Sequence, residues 1–98
     1  MKRRVRLLPE ARAEFDDAGD YYEARRKGLG KDFVAKVRDV FRRISANPRM
    51  HGVVYHDVRM ALVDRFPYVV LYREDGNEVI IVSVFHTSRD PSIWQSRV

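Results

Sequence analysis

Residues 78–94 read EVIIVSVFHTSRDPSIW, and this stretch decides how the chain folds. Apolar side chains occupy every position from Val79 to Phe85 except Ser83. Because successive side chains of a strand point to opposite faces, this strand is apolar on both sides and belongs near the centre of a sheet. Strict alternation predicts two buried sets: Val79, Ile81 and Phe85 on one face, and Ile80, Val82 and Val84 on the other.

Polar and aromatic side chains follow this strand, and a core strand alone does not explain them. His86 and Arg89 lie at its carboxyl end. Asp90-Pro91 predicts an N-cap and first residue of a short terminal helix that ends in Trp94 and Arg97. We expect Trp94 to pack this helix onto the body of the domain, whereas a wholly exposed tryptophan would indicate an interface.

The residues before this strand predict the rest of a sheet. Asp75-Gly76 is a strong hairpin signal that joins it to a strand at residues 68–73. Residues 53–57 and 59–66 also have a period of two, as two strands or one bent strand. Alternation there predicts two sets: Arg59, Ala61, Val63 and Arg65 on one face, and Met60, Leu62 and Phe66 on the other.

The first half of the chain predicts one strand and two helices. Residues 3–8 form a strand, and Pro9 fits the first position of a helix. Apolar residues then recur at spacings of three and four in two runs, separated by Gly28 and Gly30, with the second helix beginning near Lys31 and ending at Asn47-Pro48. The runs are Ala11, Phe15, Ala18 and Tyr22, then Phe33, Val37, Val40 and Ile44. The order β-α-α-β-β-β predicts an α+β fold, with a helical hairpin packed on a mainly antiparallel sheet, in a single domain over residues 1–98.

Composition limits the classes of function. Nineteen Lys and Arg against fourteen Asp and Glu give a net charge of +5, which favours a polyanionic or acidic partner. Lys31, Arg38 and Arg42 share one face of the second helix, which is either a solvated face or a contact for phosphates or an acidic helix. No apolar run approaches the length of a membrane span, so the sequence predicts a cytoplasmic protein with no membrane partner.

The sequence predicts neither a metal site nor a cofactor. The chain has no cysteine, and His51, His56 and His86 lack the spacing of metal ligands. Five side chains are expected at the sheet instead, where arginines could neutralise a phosphodiester while an imidazole transfers a proton. They are Arg59, Arg65, Arg73, His86 and Arg89. The alternative is a polar sheet face whose arginines pair with the carboxylates of Asp57, Asp64, Glu74 and Asp90.

The combination of this element order with several local motifs resembles the RelE/ParE superfamily of bacterial type II toxins, also called plasmid stabilisation proteins. The most specific motifs are FPYVVLYR at residues 66–73 and VFHTSRDP at residues 84–91. The others are Ala11, Tyr21-Tyr22, Asn47-Pro48, Val58-Arg59 and Trp94. The resemblance covers almost the whole chain. It implies a toxin that forms a hetero-oligomer with a cognate antitoxin, whose C-terminal segment would pack near Phe15, Tyr22, Phe33 and Phe41.

The resemblance leaves the cellular target open between two branches. RelE-like members are ribosome-dependent endonucleases that cut mRNA, and in that reading His86 is the acid or base while Arg65 and Arg89 clamp the phosphate. ParE-like members inhibit DNA gyrase without nuclease chemistry. This chain lacks the arginine that nucleases carry inside the strand at residues 68–72, and it has no tyrosine after Tyr72.

These two departures favour the ParE-like interpretation, because cleavage without those groups would lose charge stabilisation of its transition state. The expected target contacts are then Arg59, Arg65, Arg73, His86, Arg89 and Trp94. A third hypothesis is a non-toxic binding module with the same fold.

Overall fold

A five-stranded sheet runs through the molecule, with a helical hairpin on one face and a short helix on the other. This architecture comes from a computed structural model, which describes residues 2–98. The elements follow the order β1 (Arg4–Leu7), α1 (Pro9–Arg25), α2 (Leu29–Ala46), β2 (Val53–Tyr55), β3 (Val58–Leu62), β4 (Tyr68–Asp75), β5 (Glu78–His86) and α3 (Ser92–Gln95). The predicted α+β class is confirmed, and residues 53–66 form two short strands.

The strand order in the sheet is β1-β5-β4-β3-β2. Strand β5 lies between β4, which is antiparallel to it, and β1, which is parallel to it. All the other pairings are antiparallel. The strand that the sequence places near the centre of the sheet therefore does have a neighbour on each side.

Strand β5 does not keep the strict alternation expected from its sequence. Leu71 pairs with Ser83 and Tyr72 pairs with Ile81, so Val82 is an extra residue in a β-bulge. The bulge moves Val84 to the helix-covered face beside Val79 and Ile81, and Phe85 to the outer face beside Val82. The predicted faces of Val84 and Phe85 were therefore wrong, because one unpaired residue reverses the alternation beyond it.

The helical hairpin packs very closely at its glycines. Gly28, with a φ of 87°, is the N-cap of α2, so the helix begins at Leu29, earlier than the predicted Lys31. Gly30 was expected in the break between the two helices but lies in the first turn of α2. A Cβ atom at Gly30 would stand 2.4 Å from the carbonyl oxygen of Gly19 on α1, so this position needs a residue without a side chain.

Two apolar clusters lie on the two faces of the sheet. The first fills the space under the hairpin and includes Phe33, Val37 and Tyr72. Phe66 joins this cluster, with its ring 4.9 Å from that of Tyr22. Met60 and Leu62, which were predicted to share a face with Phe66, do not belong to it. The reason is that β3 ends at Leu62, so a turn containing Arg65, with a φ of 69°, separates Phe66 from the strand.

The second cluster lies on the outer face, under α3. Trp94 is 5% exposed, and its ring meets that of Tyr55 edge to face at 5.7 Å. The backbone N–H of Ser92 donates to Asp90 Oδ1 at 3.0 Å, which fixes the start of the helix. The prediction that Trp94 packs the helix onto the body is confirmed, although the helix runs from Ser92 to Gln95, so Pro91 and not Asp90 is its N-cap and it does not reach Arg97.

The loop after α2 is fastened to the sheet through Tyr72. The Tyr72 hydroxyl donates to the carbonyl oxygen of Pro48 at 2.7 Å, and the His51 ring meets the Tyr72 ring edge to face at 6.2 Å. Burial, followed by the charge of Arg43, lowers the pKa of His51 below its usual 6.5. Within residues 2–98, no helix is both long and apolar enough to cross a bilayer.

Candidate functional site

One edge of the carboxyl-terminal half of β5 has no neighbouring strand, because β1 pairs with β5 only as far as Ile81. Two side chains satisfy the backbone of that edge in place of a neighbouring strand. Arg97 Nη1 donates to the carbonyl oxygen of Val82 at 3.2 Å, and the N–H of Val84 donates to Glu14 Oε1 at 3.4 Å. The edge on which the site is built is thus covered by groups from α1 and from the end of the chain.

Glu14 is the centre of this arrangement, which we call the Glu14 cluster. Its side chain is only 13% exposed, and Arg97 binds it through two hydrogen bonds of 2.9 and 3.1 Å. The Ser83 hydroxyl donates to it at 2.8 Å, and Arg89 Nη1 lies 3.5 Å from its second oxygen. One buried carboxylate therefore faces two guanidinium groups, and it holds Arg89 beside the end of β5.

A cavity of about 450 Å³ opens between this end of β5 and helix α1. Because three of its walls are tyrosines, we call it the tyrosine pocket. Its lining residues are Tyr21, Tyr22, Arg25, Leu29, Tyr68, His86, Ser88 and Arg89. Burial, with Tyr22 as the second cause, raises the pKa of Tyr68, so this phenol stays protonated and is a hydrogen-bond donor at neutral pH.

His86 is held at the mouth of the tyrosine pocket by its neighbours in the chain and in the sheet. Its ring lies edge to face with that of Tyr68 at 5.1 Å, across the register pair that joins β4 to β5. The Ser88 backbone N–H donates to His86 Nδ1 at 3.0 Å. Because Nδ1 accepts this bond, the proton of the neutral imidazole is on Nε2, which is then a donor.

Three consecutive cations stand at the tip of the hairpin, next to the tyrosine pocket. Arg25, Arg26 and Lys27 are all exposed, and within residues 2–98 none of them has an ion pair. The nearby Glu23 carboxylate instead accepts hydrogen bonds from the amides of Gly28 and Gly30. Those amides, that of Gly28 first, lower the pKa of Glu23. The tip thus has a surplus of positive charge.

A second and larger cavity, the basic groove, lies between α2 and the turn after β3. It measures about 730 Å³ and is lined by Lys36, Asp39, Arg42, Arg43, Leu62, Val63, Asp64 and Arg65. Lys36 lies 3.2 Å from Asp64, and Arg42 pairs with Asp39. Four cations against two carboxylates leave the groove positive, and Leu62, which is 68% exposed, adds an apolar rim.

The structure separates the three residues of the nuclease interpretation into two places. His86 and Arg89 line the tyrosine pocket, whereas Arg65 lines the basic groove. Arg65 is 77% exposed and lies 4.0 Å from Asp64. The tyrosine pocket can therefore bind through its rings, hydroxyls and cations, but it brings only one of the two expected phosphate clamps to the imidazole.

The remaining predicted contacts are distributed over the molecule. Arg59 pairs in the sheet with Tyr72 and donates to the carbonyl oxygen of His51, while Arg73 pairs with Asp57 on the opposite face. Trp94 belongs to α3 and is buried against the outer face of the sheet. Of the four predicted antitoxin contacts, Phe33 is fully buried and Phe15 is 4% exposed, while Tyr22 and Phe41 are partly exposed.

Sequence reasoning missed four residues of this region: Glu14, Tyr21, Arg25 and Arg97. A signal for Glu14 exists, because it lies three residues after Ala11 and four before Ala18, on the buried stripe of α1. A carboxylate on an apolar stripe requires a partner. The partner could not be found from spacing alone, since Arg97 lies 83 residues away in the chain.

Two comparisons with known proteins match the chain. The family model of the ParE toxin of the type II toxin–antitoxin system parDE matches residues 5–91. A chain of the chromosomal ParDE toxin–antitoxin system from P. aeruginosa superposes with a TM-score of 0.75 at 16% identity, over 89% of this chain and 98% of that one. At that identity the structural likeness shows a shared fold. No curated protein sequence matches the chain.

Proposed function

We propose, for a chain that belongs to the ParE toxin family of type II toxin–antitoxin systems, that it stops growth by binding DNA gyrase and that a cognate antitoxin neutralises it. The matched residues 5–91 include the hairpin and all five strands apart from Arg4, so family membership rests on the whole fold except α3. It supports the role of a type II toxin directly. The gyrase target and the neutralising partner are the proposal.

The observation that carries the non-enzymatic part of this proposal is the distribution of the arginines. General acid–base cleavage of a phosphodiester needs charged groups around the reacting phosphate as well as a proton-transfer group. Here Arg65 lies in a different cavity from His86, and Glu14 already binds Arg89. This arrangement supports binding of a target over cleavage of RNA.

The basic groove is the surface that we assign to the antitoxin. It combines an excess of cations with the exposed side chain of Leu62, which suits a segment carrying both carboxylates and apolar residues. Phe41 lies on α2, the helix that forms one wall of the groove, and its side chain is partly exposed. Of the other predicted antitoxin contacts, Phe15 is linked to this helix through the Phe41 ring, which it meets edge to face at 5.6 Å, and Phe33 is fully buried.

The gyrase contact is assigned to the mouth of the tyrosine pocket, at the same end of the sheet as the basic groove, where His86 ends β5 and Arg89 stands at the surface. Arg89 is 47% exposed while it pairs with Glu14, and its guanidinium lies 5.0 Å from the centroid of Phe85. This ordering reduces the side-chain entropy that Arg89 would lose on binding. Arg65 lines the basic groove and Arg73 pairs with Asp57 on the outer face, so neither belongs to this contact. Trp94 contributes by holding α3 in place.

A supercoiling assay with purified gyrase tests the target. The chain is expected to abolish supercoiling of relaxed plasmid, and the protein encoded beside it is expected to restore it. Arg89→Ala should weaken inhibition by about ten-fold, the typical effect of losing one ordered interfacial arginine. The matched control is Arg38→Ala, an exposed arginine on α2 outside both cavities, which should leave inhibition unchanged.

A translation extract provides the opposing measurement. Under the proposal, mRNA in the extract stays intact and protein synthesis continues when the chain is added. Cleavage of ribosome-bound mRNA that disappears in His86→Ala would contradict the proposal and establish the nuclease interpretation. An unimpaired gyrase together with unimpaired growth on induction would favour the non-toxic binding module.

A further inference from the structure

We infer that the tyrosine pocket binds one nucleotide of a single-stranded nucleic acid, with the base against Tyr21 and the phosphate beside Arg25 at the hairpin tip. Such binding needs neither gyrase nor an antitoxin, and it uses Tyr21 and Arg25, whereas the proposed gyrase contact uses His86 and Arg89 at the same pocket. It also requires no bond to be broken. Three features of the pocket carry it: its exposed ring, its unpaired charge and its hydrogen-bond donors.

The first feature is an exposed aromatic surface inside a cavity of suitable size. A volume of about 450 Å³ lies within the usual range of small-molecule sites. Tyr21 is 53% exposed although it lies on the rim of this cavity, and its ring meets that of Tyr22 edge to face at 5.3 Å. Bases stack on such rings without regard to sequence, because every base has a π face.

The second feature is positive charge with no partner. The guanidinium of Arg25 lies 5.3 Å from the centroid of the Tyr21 ring, so the cation and the stacking surface are side by side. Arg26 and Lys27 continue the charge along the hairpin tip, and none of the three has an ion pair in the described part of the chain. A nucleic-acid backbone would neutralise this charge with release of its counterions.

The third feature is a set of hydrogen-bond donors among the side chains that line the pocket. His86 accepts at Nδ1 and therefore donates from Nε2, and Tyr68 is a phenol whose raised pKa keeps it protonated. Phosphate oxygens and base edges both accept hydrogen bonds. Acidic side chains of a peptide would use the cations alone, whereas a nucleotide joins a phosphate to a base that stacks on the adjacent Tyr21 ring, and this match favours nucleic acid.

The test is binding of a labelled oligodeoxythymidine of about ten nucleotides to the purified chain, a length within the site sizes of single-strand binding proteins. Tyr21→Ala is expected to weaken binding about ten-fold, whereas Tyr21→Phe keeps the ring and should retain the affinity. Arg25→Ala should reduce the slope of log K against log salt by about 0.7, the value for one phosphate contact.

The control is again Arg38→Ala, which removes one exposed and unpaired positive charge from α2, away from the pocket. It should leave the affinity within about two-fold, because charges beyond a screening length act weakly. Equal binding by wild type and Tyr21→Ala would overturn the inference. So would displacement of the oligonucleotide by polyglutamate of equal charge, or no detectable binding at low salt.

Discussion

At the scale of single residues, Glu14 has the greatest structural importance, because one carboxylate satisfies both a strand edge and two arginines. Its oxygens accept from Arg97, from the Ser83 hydroxyl and from the N–H of Val84. Removing one partner of a buried ion pair leaves the other charge uncompensated, which destabilises far more than losing a surface pair. The stability of the domain should therefore be sensitive to this position.

Glu14→Ala is expected to lower the free energy of unfolding by about 3 kcal/mol, with Glu14→Gln intermediate because an amide can still accept one bond. Urea denaturation measures this as a lower midpoint at an unchanged slope. Asp17→Ala is the control, since Asp17 is an exposed carboxylate on the same helix. A loss in Glu14→Ala no larger than that of the control would show that the Glu14 cluster does not stabilise the domain.

His51 should make stability depend on pH. Its folded-state pKa lies below its unfolded value of 6.5, so the unfolded chain binds more protons in between. The stabilisation from a neutral His51 is complete above 6.5 and is lost as pH falls from 6.5 through the folded pKa. The melting temperature should therefore drop from about pH 7 to about pH 5.5, and drop less in His51→Gln.

The exposed His56 provides the comparison for this titration. Its φ of 51° is a conformation that asparagine tolerates, so His56→Asn is the variant of choice. This variant removes a histidine at an exposed position, so a change in pH dependence seen only in His51→Gln is assigned to His51. Identical slopes for His51→Gln and wild type would assign the pH dependence to other groups.

At the scale of elements, the sequence predicted what local periodicity determines and missed what pairing determines. The hairpin, the terminal helix and the buried Trp94 follow from spacing and capping residues, and the structure agrees. The bulge at Val82 arises where β4 and β5 meet, so alternation within one strand could not place Val84. The tyrosine pocket likewise brings Tyr21 of α1 to His86, which only the tertiary packing reveals.

The close contact between α1 and α2 gives an element-scale prediction. In Gly30→Ala the new methyl group would stand 2.4 Å from the carbonyl oxygen of Gly19. Neither atom can rotate out of the contact, because the methyl carbon is bonded to the α2 backbone and the oxygen belongs to the α1 backbone. The variant should be less stable by about 2 kcal/mol, in the range of overpacked cores. Chemical denaturation of the two proteins measures the difference.

Gly52→Ala is the matched control for that variant. Nothing lies within 4 Å of a Cβ atom at Gly52, so the substitution meets no clash. It should be neutral or slightly stabilising, because alanine restricts the unfolded chain. Equal stability of Gly30→Ala and wild type would mean that the hairpin can open at no cost.

At the scale of the whole molecule, charge divides the surface into two cationic regions with different surroundings. The basic groove joins its cations to the apolar rim of Leu62, and the hairpin tip joins its cations to the rings of Tyr21 and Tyr22. We assign the first to the antitoxin and the second, which lies beside the proposed gyrase contact at His86 and Arg89, to nucleic acid. Both lie on the helix-covered side, where α1 and α2 meet the ends of the strands.

The chain should unfold as one cooperative unit, because β5 contacts β1, β4, α1 and α3. Calorimetry is expected to show a single transition with an enthalpy of about 70 kcal/mol near 60 °C, the usual value for this length. The calorimetric and van't Hoff enthalpies should agree. Two transitions, or a ratio far from unity, would contradict the assignment of residues 1–98 to one domain.

The contact between Glu14 and Arg97 has a consequence for synthesis of the protein in the cell. These residues are 83 positions apart, so Glu14 leaves the ribosome long before its partner exists. Until Arg97 emerges, Glu14 lacks one of its two guanidinium partners and the carbonyl oxygen of Val82 lacks its donor. The Glu14 cluster therefore joins the first helix to a residue made much later, and it can be completed only after nearly all of the described chain has been synthesised.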